Sequence, residues 1–392
     1  MLGASRQNCV AETRKGLAMK TEKFKSYFFR TTQATNHLDY VDALRGLAIL
    51  GVIMVHTNQY GKIIGSIVGN VANNGRMGVQ LFYLASAFTL FLSMKSRMSK
   101  EKYPIRNFFV RRFFRIAPLY YIAIIYYLWQ SGFGARYWLG DATHISVANI
   151  LSNVFFLHGF NPYWINSLVP GGWSIAVEMM FYVMLPFLFF KIKNINQAFN
   201  FLIITILANF ILKVVLVNFD PTNSDYLWGN YLGFYLPNQL PVFALGIIMF
   251  FIITECQSLK EISGKSLLMF SIVLLGQLFT GKSIFSSPVI FGMGFLTLAI
   301  SISRHKSKFI VNPIITYIGK ISFSMYLVHF AVLHWLTKFH LIDFVSSKTL
   351  NYCIRVTLVI VLTMIISTFV YHIVEIPFQK IGKKIISQIE KR

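Results

Sequence analysis

Acidic residues are scarce: 14 Asp and Glu stand against 37 Lys and Arg in 392 residues, and charged residues of all types make up only 13% of the chain. A surface wetted on all sides needs more charge than this, which excludes an ordinary soluble globular domain. Cysteine is nearly missing. Cys9, Cys256 and Cys353 show neither paired nor metal-ligand spacing, so neither a disulfide framework nor a zinc site is indicated, and no metal is expected. The first forty residues have no apolar core, so a cleavable signal peptide is not indicated either. No repeat of fixed period and no low-complexity tract is visible, and solenoids drop out.

Apolar residues fill the space instead. They make up 55% of the chain, with a mean hydropathy of +0.57. Runs of about 17 to 25 residues, each able to cross a hydrocarbon core about 30 Å thick, recur from Val41 onward. Ten are expected to span: 42–60, 76–94, 113–130, 173–190, 198–217, 237–254, 266–281, 285–303, 314–336 and 351–374. The expected fold class is all-α, a polytopic membrane helical bundle. One further apolar segment, "ISVANILSNVFFLHGF", covers residues 145–160.

The net charge of +23 has to be read by position before it is read as a partner. Of the 37 Lys and Arg, 27 fall before Asp42, in 95–115, 191–197, 255–265 and 304–308, or after Glu375. The alternate loops hold six: Lys62, Arg76, Arg136, Lys282, Lys338 and Lys348. This is a positive-inside pattern with both termini cytoplasmic, in a cytoplasmic (inner) membrane, and it requires an even number of crossings. Parity therefore makes 145–160 a re-entrant or interfacial helix. Membrane lipid is the expected partner, and nucleic acid is not. The chain divides into a basic, largely flexible cytoplasmic tail (1–40), a membrane domain (41–378) and a basic cytoplasmic tail (379–392).

Ionisable groups inside spans are the informative positions, because charge at bilayer depth costs several kcal/mol unless it is paired or solvated. In "DALRGLAILGVIMVH", eleven helical steps bring Arg45 and His56 to one face, about 16 Å apart along the axis. Taken singly, Arg45 reads as a snorkelling anchor and His56 as a packing residue; sharing a stripe, they favour a site. In "FFVRRFFRIAPLYY", Arg111, Arg112 and Arg115 form a compact cationic surface at the inner boundary. Guanidinium forks suit phosphate, such as the phosphoadenosine end of coenzyme A, although a positive-inside stop also explains the cluster. In "PGGWSIAVEMMFYVMLP", Ser174, Glu178 and Tyr182 recur every four residues, with Trp173 beside them. A carboxylate there can pair with an arginine, orient a histidine or make an interhelical hydrogen bond. In "IGKISFSMYLVHF", Ser322, Tyr326 and His329 share a stripe that suits a substrate pocket or a polar helix seam.

These stretches, in this order, resemble the acyltransferase-3 family of integral-membrane acyltransferases, which commonly O-acetylate envelope or secreted polysaccharides. The resemblance runs from Leu38 to Phe378 and adds "GVQLFYLASAF" and the closing "VEIPF" to the motifs above. Two departures stand out. The family's small-Gly-Phe step reads Ala85-Ser86-Ala87-Phe88, and Met179 and Met180 follow Glu178 where acidic and amide residues are common. The fused extracytoplasmic esterase-like domain frequent in the family is absent from this sequence, which implies a stand-alone member.

The resemblance and the topology together imply transfer of an acyl group, acetyl by expectation, from cytoplasmic acyl-CoA to a hydroxyl of a polysaccharide or glycan on the outer side. Catalysis would rest on His56, as general base or acyl-carrying nucleophile, with Glu178 and Arg45. Arg45, Arg111, Arg112 and Arg115 would hold acetyl-CoA, the co-substrate. Trp173, Ser174, Tyr182, Ser322, Tyr326 and His329 would line the substrate pocket. A secondary transporter or a flippase of lipid-linked sugar is the main rival, and a non-catalytic membrane scaffold a third reading. The oligomeric state is left open, a homodimer among the candidates.

Overall fold

The computed structural model describes residues 38–391, apart from 62, 64, 65, 137, 139, 141, 142, 256–263, 266, 267, 269, 270, 273, 274, 277–286 and 306. The N-terminal tail up to residue 37, Cys9, Cys256 and most of the expected span 266–281 lie outside the described residues. Among the described residues there is no strand, only an isolated bridge between Gly134 and His144.

The helices follow the apolar runs. They are α1 (Asp39–Asn58), α2 (Ile67–Asn74), α3 (Gly78–Met98), α4 (Pro104–Ser131), α5 (Val147–Val154), α6 (Gly172–Lys191), α7 (Ile195–Leu216), α8 (Asp225–Phe234), α9 (Leu236–Thr254), α10 (Ser287–Arg304), α11 (Pro313–Lys320), α12 (Ser322–Lys338), α13 (Lys348–Val370) and α14 (Ile376–Lys391). A π turn, Tyr371–Glu375, joins the last two. Side-chain caps fix several starts: Ser146 accepts from Asn149 N, Asn194 from Gln197 N, and Asn312 from the amides of Ile314 and Ile315 just after Pro313.

Among the described residues, six helical segments are long and apolar enough to cross a membrane: 39–58, 67–98, 172–191, 195–216, 225–254 and 348–391. A bent pair, α11 with α12, makes a seventh if counted as one. The 28 residues of α4 give it about 42 Å, but four arginines and four tyrosines dilute its apolar content. The segment after it holds α5, whose 8 residues reach only about 12 Å and cannot cross.

Burial sorts the helices by role. α1, α3 and α9 are buried over most of their surface, whereas α7 is exposed nearly all round, as a lipid-facing helix must be. α1 packs on α3, α11 and α13, and α9 packs on α3, α7 and α10.

The span expected as one straight helix over 314–336 is broken. α11 and α12 meet at Ile321 at 80°. Beside the bend two backbones touch: a Cβ on Gly319 would fall 1.8 Å from the carbonyl oxygen of Asp42, and one on Gly46 would fall 2.3 Å from that of Ile315. α11 thus lies pressed against the start of α1, while α12 packs along α13.

Candidate active site

Five helices converge on one cavity, with about 80 Å³ of water-sized space. α1 supplies Arg45. α3 supplies Val79, Phe82, Tyr83 and Ser86. α4 supplies Arg112, Arg115 and Ile116. α6 supplies Ser174, Ile175, Glu178 and Tyr182, and α12 supplies Ser322, Phe323 and Tyr326. Arg45, Arg112, Arg115, Ser174, Glu178, Tyr182, Ser322 and Tyr326 were all named from sequence, and the fold brings them together. Three arginines face one lining carboxylate.

That carboxylate is tightly held. Ser86 Oγ and Tyr182 OH both donate to Glu178 Oε1 at 2.6 Å. Arg45 donates to Thr89 Oγ1 at 3.1 Å and reaches Asp42 at 3.5 Å, its neighbour one turn back. The Arg112 guanidinium lies against the rings of Phe108 and Tyr182, at 6.0 and 5.9 Å, and its Nε has no hydrogen-bond partner among the described residues. Each arginine thus keeps donor capacity that the side chains named here do not use.

At the far end of the cavity the chain enters α6 through Gly171, whose φ of +74° favours glycine and whose Cβ, if present, would lie 2.8 Å from Tyr326 OH. Tyr326 OH donates to Gly171 O at 3.0 Å and accepts from Ser174 Oγ at 2.8 Å. One turn along α12, the ring of His329 sits 5.9 Å from that of Tyr326 and 5.4 Å from that of His56. His56 also contacts Phe330, with ring centroids 4.5 Å apart. His56 is therefore not in the cavity wall with Glu178. It closes a line of rings that leads away from it.

Two other named residues are directed elsewhere. Arg111 forms a two-pronged ion pair with Glu101, at 2.9 and 3.1 Å, instead of lining the cavity. Burial pushes the Glu101 carboxyl up, but hydrogen bonds from Arg111, Arg97 and Asn107 outweigh it and hold the group below its ordinary value. Trp173 stacks on Phe234, with centroids 4.4 Å apart, and meets Tyr83 edge-on. Among the described residues no group of three or more His, Cys, Asp and Glu side chains is placed to hold a metal ion.

Sequence reasoning passed over Tyr83, Ser86 and Thr89, hydroxyls on an apolar helix with no periodic signal of their own. Ser86 lies within the Ala85-Ser86-Ala87-Phe88 step, so this step does more than pack helices: it donates to the carboxylate. It also passed over Glu375 in "VEIPF", a buried carboxylate on the π turn that accepts from Ser324 Oγ.

The family model described as "Acyltransferase domain" matches residues 38–372. The chain belongs to this acyltransferase-3 family. O-acetyltransferase OatA from Staphylococcus aureus strains NCTC 8325, COL and MRSA252 is similar, at 24% identity over 95% of this chain and 62% of the relative. The chain thus spans less than two thirds of the length of these relatives. No solved structure matches it. The family match covers every helix that lines the cavity, from α1 to α12.

Proposed function

We propose that this acyltransferase-3 chain is an O-acyltransferase that moves an acetyl group from cytoplasmic acetyl-CoA to a hydroxyl of a glycan on the outer side of the cytoplasmic membrane. One observation carries the reading: a buried cavity lined by three arginines and a single carboxylate, in a chain of this family. Asp42 stands beside Arg45 outside the wall, so it is the lining itself that carries excess positive charge, which the phosphates of coenzyme A would meet. Its small volume suits an acetyl group and the tip of the pantetheine arm, so the nucleotide would stay at the inner mouth, near the basic run 95–115.

Arg112 and Arg115 would hold phosphate, and Arg45 would meet the pyrophosphate or the pantetheine arm. Glu178 would balance these charges and orient the donor. His56, toward the outer end of α1, would act on the acceptor or carry the acyl group. Its Nδ1 lies 3.2 Å from Gln59 Oε1; donating to that oxygen, Nδ1 would carry the proton and Nε2 would keep a lone pair for chemistry. The bundle would cross ten times with both termini cytoplasmic, taking membrane lipid, acyl-CoA and an outer glycan as partners. The names of the OatA relatives support O-acetylation.

The test compares O-acetyl esters on envelope glycans, by mass spectrometry, in cells with the protein, without it, and with His56→Ala. The ester signal should vanish in the last two while membrane insertion of the variant is unchanged. Equal ester content in all three would refute the reading.

A further inference from the structure

His329 is fully buried on α12. Its Nδ1 lies 3.1 Å from the carbonyl oxygen of Met325, which can only accept, so Nδ1 carries the hydrogen. In the neutral ring Nε2 then keeps its lone pair, and it has no hydrogen-bond partner among the described residues. Leaving such an acceptor unpaired in a buried site is costly, about 1–3 kcal/mol, and structure alone gives no return for it. The ring of His56 is the neighbour that matters, with centroids 5.4 Å apart and the two planes tilted by 38°. Two imidazoles, each with Nδ1 set against a carbonyl oxygen, thus lie side by side.

We propose that His329 is a second catalytic residue, the base for the acceptor half of the reaction, taken up once His56 carries the acetyl group. This rests on the acyltransferase reading above. In the donor half, His56 Nε2 attacks the thioester carbonyl. The N–C bond forms, the C–S bond breaks, and coenzyme A leaves as thiolate. Acetylated His56 has no lone pair left at Nε2 and cannot serve as base. In the acceptor half, the hydroxyl oxygen attacks the acetyl carbon, the C–N bond breaks, and His329 Nε2 takes the hydroxyl proton. Ester and neutral His56 result, and the proton on His329 passes through water to the thiolate. Acetyl-CoA and alcohol have become ester and coenzyme A.

The proposal separates two partial reactions in the purified full-length protein in nanodiscs. Isotope exchange between labelled coenzyme A and acetyl-CoA reports the donor half. Discharge of labelled acetyl to water, to chitopentaose or to hydroxylamine reports the acceptor half, and hydroxylamine needs no base. His329→Gln, or His329→Asn should that variant unfold, should keep exchange and hydroxylamine discharge within about 3-fold of wild type. It should lose about 100-fold in discharge to water and to chitopentaose, the lower range for general-base catalysis. His56→Ala should lose everything. Unchanged discharge to water and chitopentaose in the His329 variants would overturn the proposal. So would loss of exchange in a folded variant, which would place His329 in the first half. Wild type that makes ester without exchange would also overturn it, while leaving the acyltransferase reading intact. Wild type that neither exchanges nor makes ester would remove that reading itself.

Discussion

The cavity's chemistry turns on an imbalance among single side chains. Glu178 has two hydroxyl donors on one oxygen, whereas Arg112 retains an unpartnered Nε. If the arginines bind an anionic donor and Glu178 acts on geometry, two kinds of substitution should separate in kinetics. Arg112→Gln and Arg115→Gln should each raise KM for acetyl-CoA by about 10–100-fold, since each charge-assisted contact contributes about 1.5–3 kcal/mol. Glu178→Gln leaves more net positive charge, so KM should not rise, while kcat should fall about 100-fold as donor orientation is lost. Steady-state kinetics with a melting curve on each variant decides it, and a KM increase for Glu178→Gln equal to that of either arginine variant would show the carboxylate to be part of donor binding. At this scale the sequence revealed charges well and their partners poorly. Glu178 stands out because carboxylates are rare in spans. That Arg111 would turn to Glu101 while Arg112 turned inward depends on where the 99–103 loop ends, and no spacing encodes that.

Helices were legible where apolar length decides, as in α1, α6, α7 and α9, and illegible where contact decides. Ser322, Tyr326 and His329 do share a stripe, because all three lie on α12 after the break. The close approach of α11 to α1 beside the break needs Gly46 and Gly319, and glycine inside an apolar run is common enough to carry no such signal. The close approach has a mechanical consequence. α11 seats the start of α1, and with it Arg45 and Asp42. Gly319→Ala places a methyl against the Asp42 carbonyl, where backbone must move, so stability should fall by at least about 1–3 kcal/mol. Thermal unfolding in detergent should show a clear drop, with donor affinity weakened alongside as Arg45 shifts. Gly132→Ala serves as contrast: no neighbour lies within 4 Å of a Cβ there, so any cost comes only from its φ of +67°. A Gly319 variant that melts like wild type would show that the two backbones are not held together in the membrane.

For the whole molecule the decisive quantity is parity. The charge asymmetry predicts ten crossings with both ends inside, an expectation that holds only if 145–160 returns to the side it came from. A crossing needs about 20 helical residues, and α5 has 8 before the chain turns at Phe155 and continues as a short helical turn, His158–Phe160. Buried bonds tie this stretch to its neighbours on the same side: Tyr120 OH donates to Asn153 Oδ1 at 2.8 Å, and Asn149 Nδ2 donates to Ser167 Oγ at 2.9 Å. Both partners belong to the end of the bundle that carries the α6 start. The C-terminal helix lies at the other end, where Glu390 accepts from the backbone amides of Lys102 and Tyr103. Parity then makes opposite predictions for two exposed positions, Ser346 before α13 and Gln388 in α14. In a background where the native cysteines are replaced, Ser346→Cys should react with a membrane-impermeant maleimide in intact cells, and Gln388→Cys only after the membrane is opened. If residues 145–160 crossed, every later segment would change sides and the two labels would exchange. The donor mouth among Arg112 and Arg115 would then remain inside while α12, with His329, presented its outer end to the cytoplasm. No acyl group could reach an outer hydroxyl along that path, so this labelling pattern tests the route as well as the count.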